Sequence, residues 1–296
     1  MIVLMESFTI YLILVITGLC MGSFAGATVW RLRSKQLLRD KSKGAQVDHS
    51  EYMQLKKLAK TSLVKDRSQC LECSYTLKWY DLIPLISWLS LGGKCRECRR
   101  PIGLMEPLIE LAVAAFFVLS YAFWPLPLES WLEIVRFVVW LVAGVGLAIL
   151  FAYDIKWYLL PDRINFFVIA LGLISVLIAL VTSLDIVETL INVVVSVLIL
   201  SGLYLALYLV SSGRWVGFGD VKLGMGLGLL LADWRLSFLA LFLANFIGCL
   251  IVLPGILSGK LKRNSHIPFG PLLITGFAIA GLAGNYIIGQ FFLPLI

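Results

Sequence analysis

Two aspartates in this chain stand where ionisable groups are costly. Asp220 closes the run Gly217-Phe218-Gly219-Asp220, and Asp154 opens the run from Asp154-Ile155-Lys156 through Leu159-Leu160-Pro161-Asp162. Both follow long apolar segments, which places each near the end of a membrane helix. An ionisable group at such depth marks a functional site by default. Two of them from different segments form a pair that can share one proton. One carboxylate would take a proton from water; the other, protonated, would polarise a carbonyl and protonate a leaving nitrogen. That is aspartic-protease chemistry at a membrane surface. Gly217 and Gly219 permit an unwound backbone and close approach of a substrate strand.

Each aspartate taken alone reads equally well as a helix cap, and Asp220 is placed to cap the helix that follows it. Asp162 competes with Asp154 for the first position. Pro161 before it and the apolar run behind it suit a cap or turn residue. Lys156, Arg163 and Lys222 read as anchors whose charged heads reach the membrane surface. Lys222 is also placed to tune Asp220.

A second chemistry is written in the cysteines. Cys70-Leu71-Glu72-Cys73 and Cys95-Arg96-Glu97-Cys98 form two Cys-x-x-Cys pairs in a basic segment. In a reducing compartment that spacing argues for metal rather than disulfides. Four thiolates so arranged form a closed tetrahedral zinc site that stabilises a small fold and does not catalyse. The alternatives are free thiols or redox pairs. Between the pairs, Trp79, Tyr80, Ile83, Leu85, Ile86 and Trp88 are too apolar for an exposed loop. They pack the knuckle or lie on the membrane surface. Cys20 and Cys249 fall in apolar runs and read as packing residues. Glu106 and Glu110, one turn apart, open the second apolar run. Each is a functional candidate by its depth, or an interfacial acid paired with one of the nearby arginines.

These residues must be carried by membrane helices. Of the 296 residues 60% are hydrophobic, mean hydropathy is +0.93 and the net charge is +7. Soluble domains sit nearer half apolar. Roughly twenty apolar residues cross a bilayer, and the pattern predicts about eight spans: 7–30, 105–124, 131–153, 164–181, 186–210, 221–231, 236–257 and 271–292. The sixth is glycine-rich and too short to cross without tilt or thinning. The polar stretch 35–65 predicts helix only around 51–60, and no internal repeat stands out.

Basic residues cluster at 31–100 and recur at Lys156, Arg163, Arg214, Lys222, Lys260, Lys262 and Arg263. The opposite loops hold Glu129, Glu133, Asp185, Glu188 and Asp233. The positive side faces the cytoplasm, so Asp154, Asp220 and the cysteines are expected there, with both termini outside. The basic block is explained by anionic lipid more simply than by nucleic acid. The fold class is thus an all-α polytopic membrane protein with a small cytoplasmic zinc-knuckle domain. Its divisions are a first transmembrane helix (1–30), a cysteine domain (31–104) and a transmembrane peptidase domain (105–296).

In order along the chain, these pieces resemble the bacterial type IV prepilin peptidase family, the leader peptidase/N-methyltransferases of the GxGD type. Gly22-Ser23-Phe24 with Arg31 is similar to the family's opening. Cys70 to Cys98 with the intervening Trp79-Tyr80-Asp81-Leu82-Ile83-Pro84 is similar to its cytoplasmic domain, and Pro107-Leu108-Ile109-Glu110-Leu111 to its next motif, Pro-Leu-x-Glu-Leu. The runs from Asp154 and from Gly217 to Lys222 resemble its two active-site motifs, and Ile267-Pro268-Phe269-Gly270-Pro271 a late one. Ser74 and Arg99 stand where the family often has glycine, and Leu71 where it often has proline.

The resemblance implies a multi-pass enzyme of the bacterial inner membrane. It would cut the short basic leader from type IV prepilins or pseudopilins on the cytoplasmic side, in pilus assembly or protein secretion. Asp154 and Asp220 would be catalytic, with Gly217, Gly219 and Lys222 in the active-site loop. S-adenosylmethionine would supply a methyl group to the new N-terminal residue, an activity associated with the cysteine domain. Glu110, within the Pro-Leu-x-Glu-Leu motif, would be the candidate to meet substrate or methyl donor. The competing readings are a peptidase without methyl transfer and a non-enzymatic zinc-knuckle assembly factor.

Overall fold

The computed structural model describes residues 2–59, 67–259 and 267–291. Lys260, Lys262 and Arg263, which helped to orient the chain, lie outside the described residues. The chain divides into two compact units, Met1–Val118 and Leu119–Ile296. Both are helical. Among the described residues seven helices are long and apolar enough to cross a membrane.

In the first unit, α1 (Ile2–Ser42) does not stop at Trp30, where the apolar run ends. No glycine or proline interrupts 27–43, and the Arg, Leu, Lys and Gln residues there favour helix. The extension is also clamped by α2 (His49–Ala59), which folds back over it. Leu37, Leu55 and Leu58 form a buried cluster there, flanked by Trp30, Val47, Tyr52 and Leu71. Ser34 Oγ donates to the Leu55 carbonyl at 2.6 Å, and the Arg33 guanidinium grips both oxygens of Glu51. Asp48 caps α2 by accepting from the Glu51 amide at 3.0 Å.

The expected second span is α4 (Met105–Ala122); the five-residue α3 (Ile86–Ser90) precedes it. Gly18 and Gly22 bring α1 hard against α4: a Cβ on Gly22 would lie 2.5 Å from Glu110 Cα, and one on Gly18 2.6 Å from Ala114 Cα. Small residues four apart are what let membrane helices touch backbone to backbone.

The second unit holds α5 (Trp131–Trp157), α6 (Asp162–Thr182), α7 (Ile186–Val197), α8 (Leu203–Ser211), α9 (Phe218–Leu231), α10 (Trp234–Leu257) and α11 (Phe269–Phe291). The acids Asp185 and Asp233 cap α7 and α10. The fifth expected span is one apolar stretch, Ile186–Ser211, but a π-helical turn at Leu198–Gly202 splits it.

The sixth expected segment is α9. At 14 residues it is about 21 Å long at 1.5 Å per residue, short of a hydrocarbon core of about 30 Å. It needs no lipid-matched length because protein surrounds it. Helices α6, α7, α8, α10 and α11 and the π turn all pack on it, and its residues from Leu223 onward are buried save Met225. Its glycines make that possible. Gly228 meets Val197 of α7 and Gly226 meets Val168 of α6, while Gly224 lies against the Leu200 carbonyl of the π turn. Ser201 Oγ donates to the Val221 carbonyl at 2.9 Å, and Ser196 Oγ to that of Gly228 at 2.7 Å.

A side chain at 224 has backbone in its way, which a flexible neighbour cannot relieve. Gly224→Leu is expected to cost about 3 kcal/mol or more. Gly26→Ala, whose Cβ would meet only Glu106 Cγ at 3.9 Å, is expected to be tolerated. Thermal unfolding of both variants in detergent micelles checks this.

Candidate active site and cysteine cluster

Asp154 lies in the last turn of α5. That helix ends at Tyr158, whose positive φ of 55° stops it and whose amide donates to the Asp154 carbonyl at 2.8 Å. The Asp154 side chain is only 5% exposed. Its Oδ2 accepts the Gly270 amide at 3.0 Å. Gly270 is the second residue of α11, so the positive end of that helix faces the carboxylate. The position demands glycine, because a Cβ there would lie 2.8 Å from Asp154 Oδ2.

Asp220 is the third residue of α9, and its Oδ2 accepts the Gly217 amide at 3.2 Å. Leu160 joins the segments. Its side chain would meet a Cβ on Gly219 at 3.1 Å and one on Gly270 at 3.3 Å. The run after Asp154, the Gly-x-Gly-Asp run and the late Phe269-Gly270 run therefore converge on one place. The charge of Asp154 reaches the carboxyl group of Asp220 there.

Asp162 is elsewhere in this arrangement. It opens α6, exposed, and pairs with Lys222 at 2.7 Å. Lys222 also lies over the rings of Phe166 and Phe218. Its charge is thus engaged by Asp162.

Two buried polar residues had no local signal. Tyr204 in α8 is 4% exposed, and its hydroxyl has no well-formed hydrogen bond among the described residues. Its ring packs on Phe269 at 5.1 Å, next to the amide that holds Asp154. One turn before it Ser201 reaches Val221, and one turn after it Tyr208 packs on Phe218 at 5.3 Å. Tyr204 therefore lies level with Asp220, whose charge it feels, with Asn245 as another neighbour. Asn165, one turn into α6, is buried with both amide atoms unpartnered among the described residues.

In the first unit the four cysteine sulfurs lie within 4.8 Å of one another. Cys70 and Cys98 are 3.9 Å apart, Cys73 and Cys95 4.0 Å. This set could hold a metal ion. Burial pushes the Cys70 thiol up to about 12. Burial also opposes ionisation of Cys95, but the amides of Cys98 and Glu97 and the neighbouring thiols bring it down to about 7. Cys20 and Cys249 are exposed on α1 and α10 rather than packed inside.

The two cysteine pairs are copies of one turn, so an internal repeat is present after all. Cys70 N–H donates to the Tyr75 carbonyl and Cys95 N–H to that of Arg100, each at 2.9 Å. Ser74 and Arg99 donate back to Cys70 and Cys95, and bridges at Gln69/Thr76 and Lys94/Pro101 close each turn. Ser74 has φ 60° and Arg99 φ 58°. Both departures from glycine therefore fall on a left-handed position that glycine adopts without strain. The shared Cys-x-Glu-Cys, 25 positions apart, is the signal that could have revealed the repeat.

The acids nearby are engaged. Asp81 is bonded to Arg96 at 2.8 Å, and Glu72 to Gln54 at 2.7 Å and Arg100 at 3.1 Å. Glu106 accepts Trp30 Nε1 at 2.9 Å. Glu110 is buried, and its partners are the Leu85 amide, accepted at 2.8 Å, and the Ser23 hydroxyl. It ties the loop before α3 to the start of α4, at a residue whose own φ is 59°.

The profile described as Bacterial Peptidase A24 N-terminal domain matches residues 16–124, and that of the Type IV leader peptidase family matches 141–253. A Prepilin leader peptidase/N-methyltransferase from Pseudomonas aeruginosa is 31% identical over 276 residues, 92% of this chain and 90% of that protein. One of the same name from Legionella pneumophila is 28% identical over 288 residues, 95% of this chain and 94% of that protein. A Type 4 prepilin-like proteins leader peptide-processing enzyme from Escherichia coli is 30% identical over 91% of each chain. No solved structure matches significantly.

Arg99→Val is expected to destabilise the cysteine unit by roughly 1–2 kcal/mol, since a β-branched residue resists the left-handed position. Arg99→Gly is expected to be neutral or stabilising. Glu110→Leu, which leaves the Leu85 amide unpaired, is expected to cost about 1–3 kcal/mol, whereas Glu110→Gln keeps an acceptor. Hydrogen exchange over 68–102 reads each effect locally.

Proposed function

The chain belongs to the type IV leader peptidase family, and on that premise we propose that it is a membrane aspartic endopeptidase with Asp154 and Asp220 as its catalytic pair. Its substrates are prepilins or pseudopilins, from which it removes the short basic leader at the cytoplasmic face of the bacterial inner membrane. The observation that carries the reading is the pair itself. Two carboxyl groups from different helices are drawn toward one place by Leu160, and each accepts a backbone amide.

Like charges so close do not both ionise readily, so the pair holds one proton. The ionised member accepts a proton from a water as its oxygen bonds to the scissile carbonyl carbon. The protonated member gives its proton to the carbonyl oxygen, and a tetrahedral diol forms. The first member then passes its proton to the departing nitrogen as the carbon–nitrogen bond breaks. The second recovers a proton from a diol hydroxyl. The pair ends with the one proton it began with. Gly219 admits Leu160 beside it, Gly217 gives its amide to Asp220, and Lys222, held by Asp162, positions the start of α9.

The cysteine cluster fits zinc. Zinc–sulfur bonds of about 2.3 Å in a tetrahedron set sulfurs about 3.8 Å apart, and the observed 3.9 and 4.0 Å are close to that. Cys70, Cys73, Cys95 and Cys98 would hold the ion, which would lock the two knuckles together. We assign the second activity, N-methylation of the newly exposed residue, to the domain at 31–104, with S-adenosylmethionine as donor and 105–296 as the peptidase domain. Glu110 serves that domain by fixing the Leu85 loop. A polar cleft between α2 and the first knuckle is lined by Glu51 and Glu72. Both are bonded to neighbours, so no carboxylate there awaits a sulfonium.

Asp154→Asn and Asp220→Asn are each expected to lower leader removal from a purified prepilin by about 10²–10⁴-fold, with insertion intact. Asp162→Asn should retain most of it; a wild-type rate in Asp220→Asn would overturn the dyad. Tyr204→Phe keeps the ring on Phe269 and removes only the hydroxyl. It is expected to lower kcat about tenfold at unchanged KM and thermal stability, as a donor serving the dyad would. Elemental analysis should find about one zinc per chain, lost in Cys98→Ser.

A further inference from the structure

Between the two knuckles the chain makes two short helical turns, a 3₁₀ turn at Trp79–Leu82 and α3. Each presents an apolar pair three residues apart, Trp79 with Leu82 and Ile86 with Leu89. Three residues is the repeat of the 3₁₀ turn and nearly that of α3, so each pair shares a face. These side chains are 76, 43, 64 and 67% exposed. The inner side of the same segment is well used. Trp88 packs on Gly93, where a Cβ would lie 2.9 Å from its ring, and Asp81 is buried against Arg96. Only the outward side is apolar and bare.

The depth of this segment is fixed by a bond. The Leu85 amide, between the two turns, donates to Glu110 at 2.8 Å, and Glu110 lies five residues into a membrane span. Helical side chains lean toward the N-terminus, so the Glu110 carboxylate sits near the mouth of α4. Trp30 of α1 meets Glu106 one turn earlier, at the level where interfacial tryptophans collect. The loop that carries Trp79, Leu82, Ile86 and Leu89 is therefore held beside the headgroup layer. Lys78, Lys94 and Arg99 lie along the same stretch of chain, beside Arg96 and Arg100, which are paired with Asp81 and Glu72. Even with Glu97 the stretch stays net basic, which suits anionic headgroups.

We propose that Trp79, Leu82, Ile86 and Leu89 form a keel inserted in the interfacial layer of the bilayer, anchoring the cysteine knuckles to the membrane surface. The partner is lipid, with anionic headgroups against the flanking basic residues. The keel explains why so apolar a sequence separates the two cysteine pairs. It holds the knuckles at the level where Glu110 and Trp30 mark the end of the spans.

The test uses the whole chain in phosphatidylethanolamine/phosphatidylglycerol vesicles and needs no activity. Subtracting the emission of Trp79→Phe from that of the native chain isolates Trp79 among the nine tryptophans. Trp79 is expected to lose roughly half its emission to lipids brominated near the headgroup end of the acyl chain, while aqueous iodide leaves it largely intact. Iodide quenching as strong as in the unfolded chain would overturn the proposal. So would protection from both quenchers, which would mean that protein covers the face.

Discussion

A carboxylate at the end of a membrane helix must find donors, and Asp154 finds one in the backbone of Gly270, far along the chain. Much of the second unit is a consequence of that requirement. The amide is available because it belongs to the first turn of α11, where helical N–H groups have no partner within the helix. It is reachable because position 270 has no side chain. Leu160 fills the space beside it and touches Gly219 as well, so the loop after Asp154 brings α9 to the same place. Three segments far apart in sequence are thus drawn to one carboxyl group.

The short ninth helix is the second consequence. A helix that carries Asp220 to the level of Asp154 cannot be both lipid-facing and 14 residues long. It is sheathed in other helices instead, and its glycines admit them at backbone distance. Glycine is poor in a soluble helix because it exposes backbone and loosens the chain. Here the backbone is covered by other backbone, and the small residue becomes the condition of packing.

Much of this was legible in order along the chain. Apolar runs of the right length marked the spans, because the membrane imposes a length that sequence must meet. The aspartates and cysteine pairs were legible because their types are costly or reactive where they stand. What escaped was relational. Nothing local to Tyr204 says that Asp220 is level with it, and nothing at Gly270 says that its amide is spoken for. Hydropathy ends the first span at Trp30, yet α1 runs on to Ser42 because α2, polar on its outer side, covers Leu37 and Ser34. The knuckle repeat hid for another reason. Its two copies share backbone geometry while Ser74 and Arg99 share no chemistry.

The π turn at Leu198–Gly202 has a consequence of its own. Such a turn holds one residue more than the α-helix it interrupts. Every side chain after it is therefore rotated by about 100° relative to an uninterrupted helix of 3.6 residues per turn. Ser201 and Tyr204 sit at and just beyond that offset. Deleting a single residue within 198–202 would heal the helix, keep the span long enough to cross, and swing Tyr204 from α9 toward another face. The fifth span thus behaves as a dial with two settings one residue apart, and an alignment gap there would report which way Tyr204 points.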